Sequence, residues 1–355
     1  MTATGFSNHN ILVTGGAGFV GSNLVQLLLR RDAARIHIVD NLLSAERANV
    51  PVDPRVHFTE GSITDDRVLA GLRDEYDYVF HLSTYHGNQS SIHDPLADHQ
   101  NNTLTTLKLY ERIKDFTRIQ KVVYAGAGCA VAEKTFATAA ATEESDVVSL
   151  HHNDSPYSMS KIFGEFYSVY YHKQHALPTV RARFQNVYGP GEILGAGQWR
   201  GTPATVWRNV TPTFIYKALH GQPLPLENAG IATRDFIFVG DVAEGLAACA
   251  RRGRAGDVYN IASGVETSIK ELATHINTLT ANPAGVELLP KRQWDTSGKR
   301  FGSTVKSERE LGWRASTPLA AGLERTVNWT KDNLELIRRT IQKHTHHLSP
   351  APPAR

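Results

Sequence analysis

Short apolar runs rich in β-branched residues recur along the first half of the chain, at Ile11 to Thr14, Ile36 to Asp40, Val56 to Thr59, Tyr78 to Leu82 and Lys121 to Ala125. Stretches of helical periodicity lie between most of them. Such strand, helix, strand repetition predicts an α/β fold: a doubly wound parallel sheet covered on both faces, with ligands at the carboxyl ends of its strands. Val180 to Phe184 reads as a further strand. From Asn186 onward Gly and Pro become dense, and elements such as Pro212 to His220 and Ser268 to Asn277 are interleaved with loops, which predicts a smaller C-terminal lobe. Phe236 to Val239 and Val258 to Ile261 are expected to return to the main sheet. The expected division is therefore discontinuous: a first domain over 8–185 with return segments near 234–262, a lobe over 186–342, and a flexible tail over 343–355. Pro318 to Ile341 reads as a terminal helix.

Composition narrows the function. The 355 residues are 41% hydrophobic and 21% charged, and no apolar run approaches the roughly 20 residues that a bilayer requires. Thirty-eight Lys and Arg against 35 Asp and Glu leave a net +3 with no dense basic block, which argues against a nucleic-acid partner and leaves room for a small anionic ligand. The polar start, Met1 to Asn10, lacks the basic and apolar regions of a secretory signal, so a cytoplasmic location is expected. Two cysteines, Cys129 and Cys249, can form neither a disulfide framework nor a four-thiolate zinc site. The sixteen His residues show no ligand spacing, and no metal is expected.

Gly15, Gly18 and Gly21 follow the first strand and open a helix. Glycines there permit a tight turn, while the helix N-terminus offers N–H groups and a positive dipole end to a pyrophosphate. Asp40 ends the second strand about 20 residues on, placed to accept hydrogen bonds from a ribose and to repel a 2′-phosphate, which favours NAD over NADP. Phe19, Val20, Asn41, Ser62, Ile63 and Leu82 complete the expected cofactor-binding set in this Rossmann arrangement.

Tyr157 and Lys161 stand four residues apart on one helix face, behind the helix-starting pair Ser155-Pro156. A cation beside a phenol favours the phenolate, so a group whose pKa is ordinarily near 10 can take a hydroxyl proton as hydride leaves the same carbon. Taken together, these motifs resemble the extended short-chain dehydrogenase/reductases that modify nucleotide sugars, over about residues 10 to 330. The resemblance implies an NAD cofactor and a nucleotide-diphosphate sugar substrate. It adds Asn102 to the cofactor side and Asn186, Asn209, Arg234, Arg292 and Asp295 to the substrate-binding lobe. It also implies a homodimer through helices near Asn102 to Lys114 and Tyr157 to Gln174, with Phe163, Phe166 and Tyr170 as apolar outer positions.

Departures from the family pattern are as informative. Ser62 replaces the aspartate that usually contacts adenine. After the strand ending at Ala125 the family places a Ser or Thr beside the tyrosine, and here Ala127 stands in that place. Cys129 is the only protic side chain of that loop; it falls where 4,6-dehydratases carry a glutamate base and where GDP-mannose 3,5-epimerase carries its cysteine. The lysine partner of that epimerase is Val210 here, and His86 is the expected second proton-transfer group. Cys129 as a small buried hydrophobe and His86 as a structural histidine are the competing readings. Glu227 stands where an aromatic residue often stacks on uracil, and could instead accept from guanine or face solvent. Gly191 to Arg208, with Trp199, Arg200 and Trp207, is long enough to form a lid. The expected activity is epimerisation next to a transiently oxidised C4, at C5 or C3 through Cys129. A 4-epimerase, a 5,6-eliminating dehydratase and a non-catalytic binding module are the alternatives.

Overall fold

The computed structural model describes residues 5–131, 135–146, 155–291 and 298–348, except for the Cys129 side chain. In chain order the strands are β1 (Asn10–Thr14), β2 (Arg35–Asp40), β3 (Val56–Glu60), β4 (Tyr78–His81), β5 (Lys121–Ala127), β6 (Ala141–Thr142), β7 (Thr179–Phe184), β8 (Asn186–Tyr188), β9 (Leu224–Glu227), β10 (Thr233–Phe238), β11 (Val258–Ile261), β12 (Glu266–Ser268), β13 (Val286–Leu289) and β14 (Phe301–Gly302). Seven of them form one sheet in the order β11-β7-β5-β4-β1-β2-β3, every neighbouring pair parallel. This is a doubly wound Rossmann sheet.

Helices α1 (Phe19–Arg30), α2 (Asp66–Gly71), α3 (Asn88–His93), α4 (Pro95–Asp98), α5 (Leu104–Ile113), α6 (Pro156–His175), α7 (Val210–Leu219) and α8 (Val239–Arg252) cover the sheet or lead into the lobe. One apolar layer joins α1 and α8 to the sheet, with Leu24, Leu28, Leu246 and Ile38 fully buried; on the other face Leu109, Ile113 and Tyr171 pack on Leu12, Val79 and Val122. Covered on both faces, these strands carry continuous rather than alternating apolar runs, which is why they are legible in the sequence.

β11 pairs with β7, as expected for Val258 to Ile261. The expectation for Phe236 to Val239 needs correction: β10 lies between β8 and β12 in a separate three-stranded sheet, and Val239 already begins α8. An apolar run reports burial, and Phe236 and Phe238 find theirs against Tyr188, Phe214 and Leu323 of the lobe. α9 (Ile269–Thr280), α10 (Val305–Leu311), α11 (Leu319–Asp332), α12 (Leu334–Gln342) and α13 (Thr345–Leu348) complete the chain. The expected terminal helix is thus two, parted at Asn333, and the start of the expected tail is docked: His344 is buried, its Nε2 3.0 Å from the Gly195 carbonyl, and His347 stacks on Trp199. Among the described residues no helix is long and apolar enough to cross a membrane.

Candidate active site

The chain order reverses between β1 and β4, so a crevice opens at their carboxyl ends. Thr14 and His81 pair at the ends of these two strands, with Thr14 Oγ1 2.7 Å from His81 Nδ1 and Thr106 Oγ1 3.0 Å from His81 Nε2. Burial holds this imidazole down to about 3, and it is a neutral structural group. Gly15, Gly18, Phe19, Val20 and Gly21 line the crevice. A side chain at Gly15 would combine a φ of +76° with a Cβ 2.6 Å from the Ser83 nitrogen, and a Cβ at Gly21 would lie 2.2 Å from the Gly15 carbonyl oxygen. Only glycine lets α1 start this close to the turn. Gly18 caps α1 without a side-chain hydrogen bond, leaving the first-turn N–H groups to the cleft.

Asp40, at the end of β2, accepts from Ala17 N at 3.0 Å and Leu42 N at 2.9 Å. Burial raises its pKa and the backbone donors oppose that rise. Gly18 N adds to these donors, and the carboxylate still has acceptor capacity for a ribose hydroxyl. Asn41, Ser62, Ile63 and Leu82 also line the cleft; Ser62 Oγ turns to its own loop, 2.8 Å from Thr64 Oγ1. Turn, helix end and carboxylate together fit a dinucleotide with a free ribose diol.

The chemical end is set by α6. Ser155 caps it, its Oγ accepting from Ser158 N at 3.2 Å, and Pro156 occupies the first turn. Tyr157 and Lys161 both line the cleft. Lys161, 4% exposed, donates to the Ala125 carbonyl at 3.1 Å, and its Nζ lies 5.8 Å from the Tyr157 ring centre. Held by β5, the ammonium stays beside the phenol. Ala127 ends β5 in the cleft wall, and the turn Gly128–Ala130 that carries Cys129 follows at once.

His86 lines the cleft with its ring edge-on to Tyr157, centroids 5.8 Å apart. Burial, with Arg208, Arg200 and Lys161 nearby, holds its pKa down to about 3. The lowered pKa favours the neutral imidazole, a hydrogen-bonding group whose Nδ1 has no partner among the described residues.

The lobe supplies the other wall through Asn186, Asn209 and Arg234. Arg234 donates to the Thr233 and Gly298 carbonyls at 2.6 and 2.7 Å. Among the polar lining residues that sequence reasoning missed are Gln185 at the edge of this wall and Glu192, Arg208 and Arg300 within it. Arg300 stands next to Lys299, a basic pair that was the available signal; Glu192 and Arg208 lie within the segment read as a lid. Glu192 Oε1 accepts from Asn209, and burial raises its pKa to about 7.

Two expected contacts stand elsewhere. Asn102, on the π-helical turn His99–Thr103, is not part of the cleft lining. Its side chain accepts from Tyr85 N at 2.6 Å and Thr84 Oγ1 at 3.0 Å and donates to Asp98 at 2.7 Å, so it fixes the loop carrying His86. Glu227 ends β9, also outside the lining. Arg292, Asp295 and the side chain of Cys129 lie outside the described residues.

Residues 11–262 match the NAD dependent epimerase/dehydratase family. The chain belongs to that family. It is similar to the Bordetella bronchiseptica enzyme WbmF, solved in complex with NAD+ and UDP, with 68% identity and a TM-score of 0.88 over 96% of this chain and 98% of that one. It is 30% identical to a putative UDP-glucose 4-epimerase of Methanocaldococcus jannaschii over 325 residues, 91% of this chain and 99% of the relative. It is also 30% identical to the dTDP-glucose 4,6-dehydratase of Streptomyces antibioticus over 337 residues, 91% of this chain and 93% of the relative. The protein is an NAD-dependent enzyme of the nucleotide-sugar epimerase/dehydratase group.

Proposed function

We propose that this family member is a UDP-sugar epimerase that works through a transient ketone at C4 and inverts the neighbouring C5, with C3 as the alternative centre. The observation that carries the reading is the wall beside Tyr157 and Lys161: Ala127 fills the place of a hydroxyl, and the next turn bears Cys129. No carboxylate occurs in residues 125–131, which disfavours 4,6-dehydration. The UDP bound to the 68%-identical WbmF supports uridine as the base.

In this scheme bound NAD supplies the hydride acceptor and, at the end, the donor. Tyr157 takes the C4 hydroxyl proton, and Lys161, anchored on the Ala125 carbonyl, stabilises the phenolate. A C4 ketone acidifies the hydrogens on C3 and C5, within the reach of a thiol whose ordinary pKa is near 8.5. Inversion also needs a proton returned to the face opposite the one that Cys129 deprotonates, and His86, in the lining with an unpartnered Nδ1, is the candidate for that delivery; Asn186 and Asn209 orient the sugar, and Arg234 with Arg300 meets the diphosphate.

Turnover of a UDP-sugar panel in deuterated water, read by NMR, tests the proposal. Wild type should incorporate deuterium at C5 or C3. Cys129→Ala should lose that incorporation while still reducing bound NAD transiently, and Tyr157→Phe should lose more than about 100-fold in turnover. Turnover without solvent deuterium makes the enzyme a 4-epimerase and Cys129 a packing residue.

A further inference from the structure

The segment 191–208 crosses the cleft as a strap. It starts beside α1, where Asn23 Nδ2 donates to the Pro190 carbonyl at 2.9 Å. It then runs along the loop after β2, with Gln198 N bonded to the Leu43 carbonyl at 3.0 Å. Arg200 Nη1 bridges two loops, donating to Ser44 Oγ at 2.9 Å and to the His86 carbonyl at 3.0 Å. Arg208 Nη1 donates to the Ser44 carbonyl at 3.0 Å and Nη2 to the Ala196 carbonyl at 2.7 Å.

These anchors locate the strap along the cofactor. Ser44 follows four residues after Asp40, the ribose end, and His86 packs on Tyr157, the reacting end. What lies between the two ends of a dinucleotide is its diphosphate. Arg208 lines the cleft and is tied to the Ser44 carbonyl, and every hydrogen bond seen for it among the described residues goes to a backbone carbonyl. Its Nε has no partner among those residues, nor have Nε and Nη2 of Arg200, which is 4% exposed. Two acids act on Arg208 through their charge, Glu192 and Glu46, and both are already engaged: Glu192 Oε1 accepts from Asn209, and Glu46 Oε1 from Gly197 N and Lys343. Two neighbouring guanidiniums so placed are costly until an anion joins them, and burial accordingly pulls both pKa values down.

We infer that Arg208, backed by Arg200, is a second diphosphate-binding element for NAD, added to the N-terminus of α1, and that the strap slows cofactor release. The inference rests on NAD occupying this cleft. It goes beyond the glycine turn, because it makes a segment 190 residues away in sequence a determinant of cofactor retention.

The test compares wild type, Arg208→Met and Arg208→Lys, each loaded with labelled NAD. The rate of NAD loss is followed by chase with unlabelled NAD, and UDP affinity of the NAD-loaded proteins by calorimetry. Arg208→Met should release NAD about 10-fold faster or more, with a weaker salt dependence, and Arg208→Lys should fall between, while UDP affinity holds. Unchanged NAD release with weakened UDP binding would overturn the inference and assign the arginine to the substrate diphosphate. Unchanged values for both would overturn it outright. If Arg208→Met does not fold, Arg208→Lys, which keeps the charge and lacks the Nε donor, carries the same comparison. Failure of wild type to bind NAD would sink the cofactor reading itself.

Discussion

At the scale of single residues, Glu192 shows how burial sets chemistry. Its folded pKa of about 7 lies above the ordinary 4.5, because burial outweighs the Asn209 bond and the Arg208 charge. The folded chain therefore keeps a proton that the unfolded chain has lost. The associated stability is fully present below about pH 4.5, drains as pH rises towards 7, and stays lost above. Glu192→Gln should remove that slope, gaining on wild type by up to about 3 kcal/mol between pH 4.5 and pH 8 in urea titrations. A constant difference across that range would mean that Glu192 is ionised throughout. Such residues are hard to read from sequence: nothing in Gly191-Glu192-Ile193 shows that the carboxyl meets Asn209. Gly15, Asp40, Tyr157 and Lys161 were legible because each belongs to a spacing that only one local geometry explains. Asn102 marks the limit, since matching a motif position did not tell that its side chain serves the loop.

At the scale of elements, α6 positions the chemistry and the ion pair beneath it fixes its seat. Glu165 on α6 accepts two bonds of 2.9 Å from Arg183 on β7, both side chains nearly enclosed, and Arg181 stands 3.7 Å away. Glu165→Ala should cost about 3 to 5 kcal/mol in denaturant unfolding, because it leaves buried Arg183 without its hydrogen-bonded carboxylate. A loss under about 1 kcal/mol would show that water reaches the arginine. The sheet strands were legible because burial on both faces writes itself as apolar runs. β10 was not, since its run names a buried face without naming the sheet it joins.

At the scale of the molecule, the outer face of α6 is the feature still without a covering. Met159, Phe163, Phe166 and Tyr170 are 47, 47, 59 and 51% exposed, on one stripe of a 20-residue helix. A stripe of this kind fits a two-fold helix pairing, and the protein should be a homodimer. Light scattering at micromolar concentration should give twice the 39.1 kDa chain mass, and Phe166→Glu should halve it. A wild-type monomer would refute the pairing.

The strap also sets an order of events. Its inner residues are held by residues 337–344: Thr340 Oγ1 donates to the Leu194 carbonyl at 2.7 Å, His344 meets Gly195, and Ile337 packs with Ile193 and Leu194. The parallel sheet has all its strands by residue 261 and can form while the ribosome is still at work. The wall carrying Arg208 has early seats on Asn23, Leu43 and Ser44 but gains its last one only when residues 337–344 have emerged. On the proposed role of Arg208, firm retention of the nucleotide is therefore completed late: a nascent chain that has already built its glycine turn still holds its cofactor under a strap whose outer support has yet to dock.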